Sequence, residues 1–448
     1  MKQFLFEIKK VIGQRFFIAI TAVLLVICTS LCVFSMRKST SQLRKEGLVE
    51  AYELYNRDPE AARKLFEKYD QDRKAGIDVP DEYSFLRNAI RTANGNAQFS
   101  DKIRQVSESA RRKALELERD GYGEGDFIYD YQKNCEEMYL AVAEEVELPV
   151  CIVSGWNNYF AQSYTTYFIL AAVFLLVCTV YIPEKTDGIY PLLRSTKRGR
   201  HSLSGAKLGA VILLSLLITV IFSGASFLVI AVKLGFSSPQ VPVQILSGLD
   251  YCPYIITVGD YFAIHSFLRL GAVLVFALIC AAVTTLKCDY VISFSGAGLL
   301  ILVNYLLNTA KYTSVNNPCA HFNLFSLCDC NGIFSRYYAA DVFGSLVIGL
   351  WLLLPLIVIS ALSAYLSIAQ GRGYFTSVGI LSVMIKKLSL PRSREKKMPV
   401  LRVCRSSMTA FEAQKILSKI GIILILILLA VFRFNSAMTS YSSPKDAD

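Results

Sequence analysis

Residues 16–36 read FFIAITAVLLVICTSLCVFSM, with Arg15 before them and Arg37 and Lys38 directly after. An α-helix rising about 1.5 Å per residue needs about 20 apolar residues to cross a hydrocarbon core of about 30 Å, so this block has the length of one membrane span. It is longer than the roughly 7–15-residue core of a secretory leader, and no small-residue cleavage pattern follows it, so it reads as a retained anchor. Working outward, blocks 164–182, 208–232, 270–286, Tyr290–Ala310 and 342–369 repeat the pattern, each bounded by charge or proline. The fourth is the shortest, bracketed by Arg269 and Lys287, with Arg269 expected to snorkel to the interface. A seventh block, 416–438, contains Lys419 and Arg433, about 21 Å apart along a helix, so that they would reach opposite interfaces.

Composition agrees. Of 448 residues, 53% are hydrophobic and 19% charged, and the mean hydropathy is +0.41. Soluble domains of this length cover their cores with charge; here the apolar residues are gathered into blocks, for which lipid is the natural solvent. The net charge of +11 is unevenly spread. Between Arg37 and Phe160 lie 19 basic and 24 acidic residues, a net of −5, which leaves +16 on the remainder. Because the cations border apolar blocks and form no stripe on a folded domain, nucleic acid is excluded as a partner.

The Lys/Arg bias sets the expected orientation. Lys2, Lys9, Lys10 and Arg15 precede the first span, a dense cluster from Lys185 to Lys207 separates the second from the third, and another follows the sixth. The intervening connections are poor in charge. The N-terminus is therefore expected in the cytoplasm and residues 37–160 outside, in a multi-pass protein of the plasma membrane. The expected fold is all-α, with six to seven transmembrane helices and a small helical extracytoplasmic domain between spans 1 and 2. The division is 1–36 lead-in and first span, 37–160 outer domain, 161–369 spans 2–6, 370–415 basic linker, 416–438 possible seventh span and 439–448 polar tail.

Helical periodicity runs through the outer domain. Asp58 is placed to cap a helix opened by Pro59, with Ala62, Leu65, Phe66 and Tyr69 on one face. Ser100 is expected to open a second, carrying Ile103, Val106, Ala110 and Leu117 and stopped by Gly121. A third carries Tyr131, Cys135, Met138, Val142 and Val146. Asn94-Gly95-Asn96 reads as a turn between the first two. The domain is either a solvated spacer or a surface that captures a ligand or partner.

No G-x-x-x-x-G-K-[ST] occurs, nor any zincin, hydrolase-elbow or kinase signature, so no catalytic residue and no cofactor is assigned. His201, His265 and His321 read as polar surface residues. Cys319, His321, Cys328 and Cys330 form the one cluster with ligand chemistry, but C-x-H and C-x-C lack the usual metal spacing, so no metal is assigned; an exterior disulfide is the other option. The spans hold essentially no acid or histidine for an ion relay. Pro355 is expected to kink the sixth span, and Asn304 is the one amide at depth.

The strongest pattern lies at 183–207. Glu184 follows the second span, then come Gly188, Leu192-Leu193-Arg194-Ser195-Thr196, Arg198-Gly199-Arg200, and Lys207 entering the third span. A topology-setting loop explains the cations but not an acid, two glycines and Leu-Leu in that order. The order resembles the cytoplasmic loop of ABC-2 type permeases, the membrane subunits of one class of ATP-binding-cassette transporter. The six-span layout, the amphipathic lead-in and the large insert after the first span resemble that family too, as does the stretch Tyr251–Tyr261. The resemblance implies that the loop docks on a separate ABC-type ATPase subunit, that a second permease chain completes the pathway within the lipid bilayer, and that a peptide, drug or lipid-like cargo is exported. A weak repeat matches Phe6, Glu7 and Lys10 before the first span with Phe411, Glu412 and Lys415 before the seventh, both as interfacial helices. The competing reading is a membrane receptor whose outer helical domain binds a ligand.

Overall fold

The computed structural model describes residues 2–40, 45–186, 202–287, 290–310, 324–342, 345–348 and 354–372. It is helical almost throughout. Four of its helices are long and apolar enough to cross a membrane: the stretch Arg15–Met36 of α2 (Arg15–Thr40), α9 (Ser163–Tyr181), α11 (Leu203–Lys233) and most of α12 (Val258–Lys287). Shorter apolar stretches, Gly296–Leu306 and Ile357–Ala369, lie within two further helices, α13 (Tyr290–Ala310) and α16 (Leu354–Arg372). The linker, the seventh block and the tail, with Phe411, Glu412 and Lys415, fall outside the described residues.

The burial pattern of each helix gives its place in the bundle. In α9 every residue from Phe168 to Cys178 is buried, so this helix is apolar all round because it is enclosed all round. Around it pack α2, α11, α12 and α13. Along α2 the buried residues Phe17, Leu24, Cys28, Cys32 and Met36 recur on one stripe, while Ile18, Val26 and Phe34 are exposed on the outer surface. In α11 the inward stripe is Leu208, Val211, Ser215, Phe222 and Ile230.

Among the described residues, the body of the insert between α2 and α9 is built of α3 (Lys45–Arg57), α4 (Pro59–Lys74), α5 (Glu82–Ala97), α6 (Phe99–Arg119) and α7 (Phe127–Glu145). Asp58 caps α4 as expected, its Oδ1 accepting from the backbone N–H of Glu60 at 3.1 Å and Ala61 at 3.0 Å. Gly121, at φ +91°, ends α6, with the Tyr122 N–H donating to Leu117 O at 3.0 Å in a Schellman closure. The expected turn at Asn94–Asn96 is absent. Helix α5 runs through it to Ala97, because Ala89 and Ala93 continue the buried stripe of Phe85 and Leu86, and tertiary burial overrides the turn propensity. The domain is tied to the bundle through Tyr139, whose hydroxyl donates to Tyr251 O at 2.9 Å and accepts from the Tyr337 N–H at 3.1 Å. A short helix, α8 (Ser154–Phe160), joins the domain to α9. Gly155 on it is required by close approach: a Cβ there would lie 1.9 Å from Gly235 O.

Two expected boundaries move. The fourth span begins at Val258 and not at 270, because Thr257 and Asp260 form a reciprocal cap. The Thr257 hydroxyl accepts from the Asp260 N–H at 3.1 Å, and Asp260 Oδ2 accepts from the Thr257 N–H at 3.2 Å. The start of the expected sixth block is not helical. Strands β1 (Ala339–Val342) and β2 (Ser345–Ile348) pair antiparallel there, with Ala339 opposite Ile348, and the described part of α16 runs Leu354–Arg372. Pro355 is the second residue of the described part of α16, and the residues before it that decide whether it kinks the helix are outside the described ones. Asn304 is a packing residue. Its amide donates to Leu300 O and its oxygen accepts from the Leu324 N–H, both at 2.8 Å, fastening α13 to the short helix α14 (Leu324–Asp329), which the single turn α15 (Asn331–Phe334) follows.

Candidate functional site

Sequence motif and fold meet at the end of the bundle remote from the insert. Helix α1 (Lys2–Ile12) lies across this end against α9 and α11. A Cβ on Gly209 of α11 would sit 3.3 Å from the Phe4 ring, so the two helices touch closely. Glu7 and Val11, one turn apart, face inward, while Leu5, Phe6 and Ile12 are exposed. The helix thus turns one acid and one valine into the protein and leaves apolar residues on its outer side.

Pro183 stops α9 and opens the single turn α10 (Pro183–Thr186), which sets Glu184 back beneath the bundle. Lys207, the fifth residue of α11, is only 3% exposed and Glu184 only 7%. Glu184 is gripped from two sides: Oε1 pairs with Lys10 Nζ and Oε2 with Lys207 Nζ. Lys10 also lies 3.9 Å from Glu7, which is 1% exposed. Lys207 Nζ reaches Val180 O at 3.5 Å, one of the carbonyls left open at the C-terminus of α9, and stands 5.8 Å from the centre of the Tyr181 ring. A cation there also complements the helix dipole.

The cluster holds two carboxylates and two ammonium groups and is formally neutral. Burial acts to raise the Glu184 carboxyl, but Lys207 and Lys10 outweigh it and hold the group below its ordinary value. At Glu7 burial wins over the same two lysines, helped by repulsion from Glu184, and its carboxyl is raised. Glu7 Oε2 has no hydrogen-bond partner among the described residues. Ser202, just before α11, hydrogen-bonds to Gln3 of α1, adding a second tie between the same helices.

Of the sequence-derived site residues, the structure therefore brings together Glu184, Lys207, Glu7 and Lys10, and turns Phe6 away. Gly188, Leu192, Leu193, Arg194, Ser195, Thr196, Arg198, Gly199 and Arg200 lie outside the described residues. Among the expected Cys/His cluster, Cys328 and Cys330 are buried free thiols; Cys319 and His321 are not described.

Sequence reasoning missed a second buried polar centre. His265 is fully buried, not a surface residue, and Arg269 is 3% exposed and does not snorkel. Arg269 Nε donates to Cys328 O and Nη2 to His265 Nε2, each at 3.3 Å. The rings of Tyr159 and Phe160 enclose the imidazole, with centroids 5.9 and 5.2 Å away. The missed signal was T-x-x-D at Thr257–Asp260: a helix begun there puts Tyr261, His265 and Arg269 on one face at i, i+4 and i+8. Near the insert, a cleft of about 640 Å³ runs between α5–α6 and the loop before α12, lined by Arg91, Phe99, Lys102, Asp250 and Tyr251 among others.

Comparison of the chain with protein-family models, with curated proteins and with solved structures yields no match in any of the three.

Proposed function

We propose that the chain is the membrane-spanning subunit of an ATP-driven exporter of the ABC-2 type, working with a separate ATPase subunit and a second permease chain. The supporting observation is the convergence on Glu184. The acid that opens the 183–207 motif and the lysine that closes it are held by one another and by Lys10 of the lead-in helix. The two ends of the motif are thereby fixed against α1, α9 and α11. A push by a closing ATPase on the residues between those two ends would pass to the three helices at once, through close-packed elements. In this reading α1 lies on the cytoplasmic surface and the helical insert is outside.

The test is co-purification. With Arg194, Arg198 and Arg200 reversed to Glu, the ATPase subunit is expected to be lost from the purified complex while membrane insertion is unchanged. Retention of the ATPase would remove the coupling role. The receptor reading is favoured by one feature, the 640 Å³ cleft at the junction of the insert and the bundle, a size suited to a small ligand. Signalling output with no associated ATPase would select it.

A further inference from the structure

Arg269 forms part of the wall of a cavity of about 240 Å³ between α11 and α12, roofed by Tyr159 of α8. Counting from Val258, Arg269 is eleven residues into α12, about 16 Å along the helix, and so within the apolar span. Guanidinium carries five N–H donors and a permanent charge. Two donors are used, on Cys328 O and His265 Nε2; the other three have no partner among the described residues. No carboxylate of the described residues lies within 4 Å. The imidazole does not neutralise the charge either, since an acceptor Nε2 makes His265 the neutral Nδ1–H tautomer. A buried cation without a counter-charge is costly, and inside a membrane such a residue marks a site by default.

The rest of the wall has the complementary character. Phe227 and Phe262 are apolar, Ser223 on the α11 side has a hydroxyl with no hydrogen-bond partner among the described residues, and Val220 at the mouth is 57% exposed on the apolar outer surface. The cavity is thus cationic within, apolar along its sides and entered from the face that meets lipid.

We infer that this cavity binds an amphiphile with an anionic oxygen-acid head, a carboxylate or a phosphate, seated on Arg269 and Ser223, with its apolar chain leaving past Val220. The head supplies the missing counter-charge as a charge-assisted hydrogen bond. The site stands independently of the ATPase reading, because it is defined by binding alone.

The chain has two tryptophans. Trp156 packs against both aromatic walls, with ring centroids 6.4 Å from Phe227 and 5.8 Å from Phe262. In a full-length Trp351→Phe background its fluorescence reports occupancy. Brominated palmitic acid and its methyl ester form one pair of quenchers, brominated phosphatidylglycerol and phosphatidylcholine the other. The acid, the phosphatidylglycerol or both are expected to quench at about tenfold or more lower concentration than the uncharged or zwitterionic counterpart. Preference for the acid alone marks a single-chain ligand; preference for the phospholipid marks a bilayer lipid. Arg269→Gln should reduce either preference to within about twofold. Gly224→Phe serves as the second variant: Gly224 lines the cavity and a Cβ there meets nothing within 4 Å, so the added ring is expected to occlude the space and abolish quenching by both anions. Equal quenching by charged and uncharged members in the Trp351→Phe protein, or a preference that survives in Arg269→Gln or in folded Gly224→Phe, overturns the site.

Discussion

Glu184 lies between two ammonium groups, whereas Arg269, buried about as deeply, faces a neutral imidazole and a carbonyl oxygen. The first centre sums to zero with Glu7 included; in the second, no carboxylate of the described residues, Asp329 beside Cys328 included, pairs with the guanidinium within 4 Å. The same physics acts on both: moving an ion out of water costs several kcal/mol, returned only by close partners of opposite sign. A centre whose charges balance among themselves works as a fastener between helices. One whose charges do not balance leaves a demand that an outside molecule must meet.

Substitutions at the two centres should therefore behave differently, and their ranking can break the contrast. Glu184→Ala takes from the enclosed Lys207 the carboxylate that pairs with it and leaves Glu7 alone to face both lysines, and is expected to cost about 3–5 kcal/mol, read as a lowered midpoint of unfolding in detergent. A loss under about 1 kcal/mol would mean that the quartet is not a fastener. Lys207→Met is milder, about 1–3 kcal/mol in the same measurement, because Lys10 still neutralises Glu184 and the thioether chain refills the space, leaving Val180 O unpaired.

The pH dependence sharpens the picture, since the two carboxylates shift oppositely. Glu184 is held below its ordinary value of 4.5, so its contribution is complete above 4.5 and lost as pH falls through its folded value. Glu7 is raised above 4.5, so the folded state binds its proton more tightly than the unfolded chain does; that contribution is present below 4.5 and lost as pH rises through the folded value. Thermal stability should thus rise slightly as pH is lowered toward 4.5 and then fall beneath it. Glu7→Gln should abolish the rise and keep the fall, an effect smaller than either substitution above. Smallest of all is Arg269→Gln without ligand, expected within about 1 kcal/mol of wild type in unfolding measurements, since an unneutralised charge is removed while an amide donor stays near Cys328 O. A loss as large as that of Glu184→Ala would show that Arg269 is already satisfied within the chain.

Much of the architecture was legible along the chain. The block 16–36, the enclosed helix 164–182 and the cap at Asp58 follow from local rules, namely block length, uninterrupted apolar sequence and a side-chain oxygen before Pro59. What misled was competition between local and tertiary signals. Asn94-Gly95-Asn96 has turn chemistry, yet burial of Ala89 and Ala93 carries α5 through it. Arg269 at the edge of an apolar block looked like a snorkelling flank because the block was measured by charge; the cap at Thr257–Asp260 shows that the helix had begun three turns earlier. Glu184 and Lys207 were chosen for their order in a motif, and nothing in that order says that they touch.

By itself the sequence determined that the chain would make long apolar helices carrying a charged helical insert, because hydrophobic length and periodicity are properties of contiguous residues. Only the tertiary structure decided which charges meet. Lys10 and Glu184 are 174 positions apart, Arg269 and Cys328 are 59 apart, and whether a buried ion is neutralised or left wanting depends on neighbours that chain order does not specify.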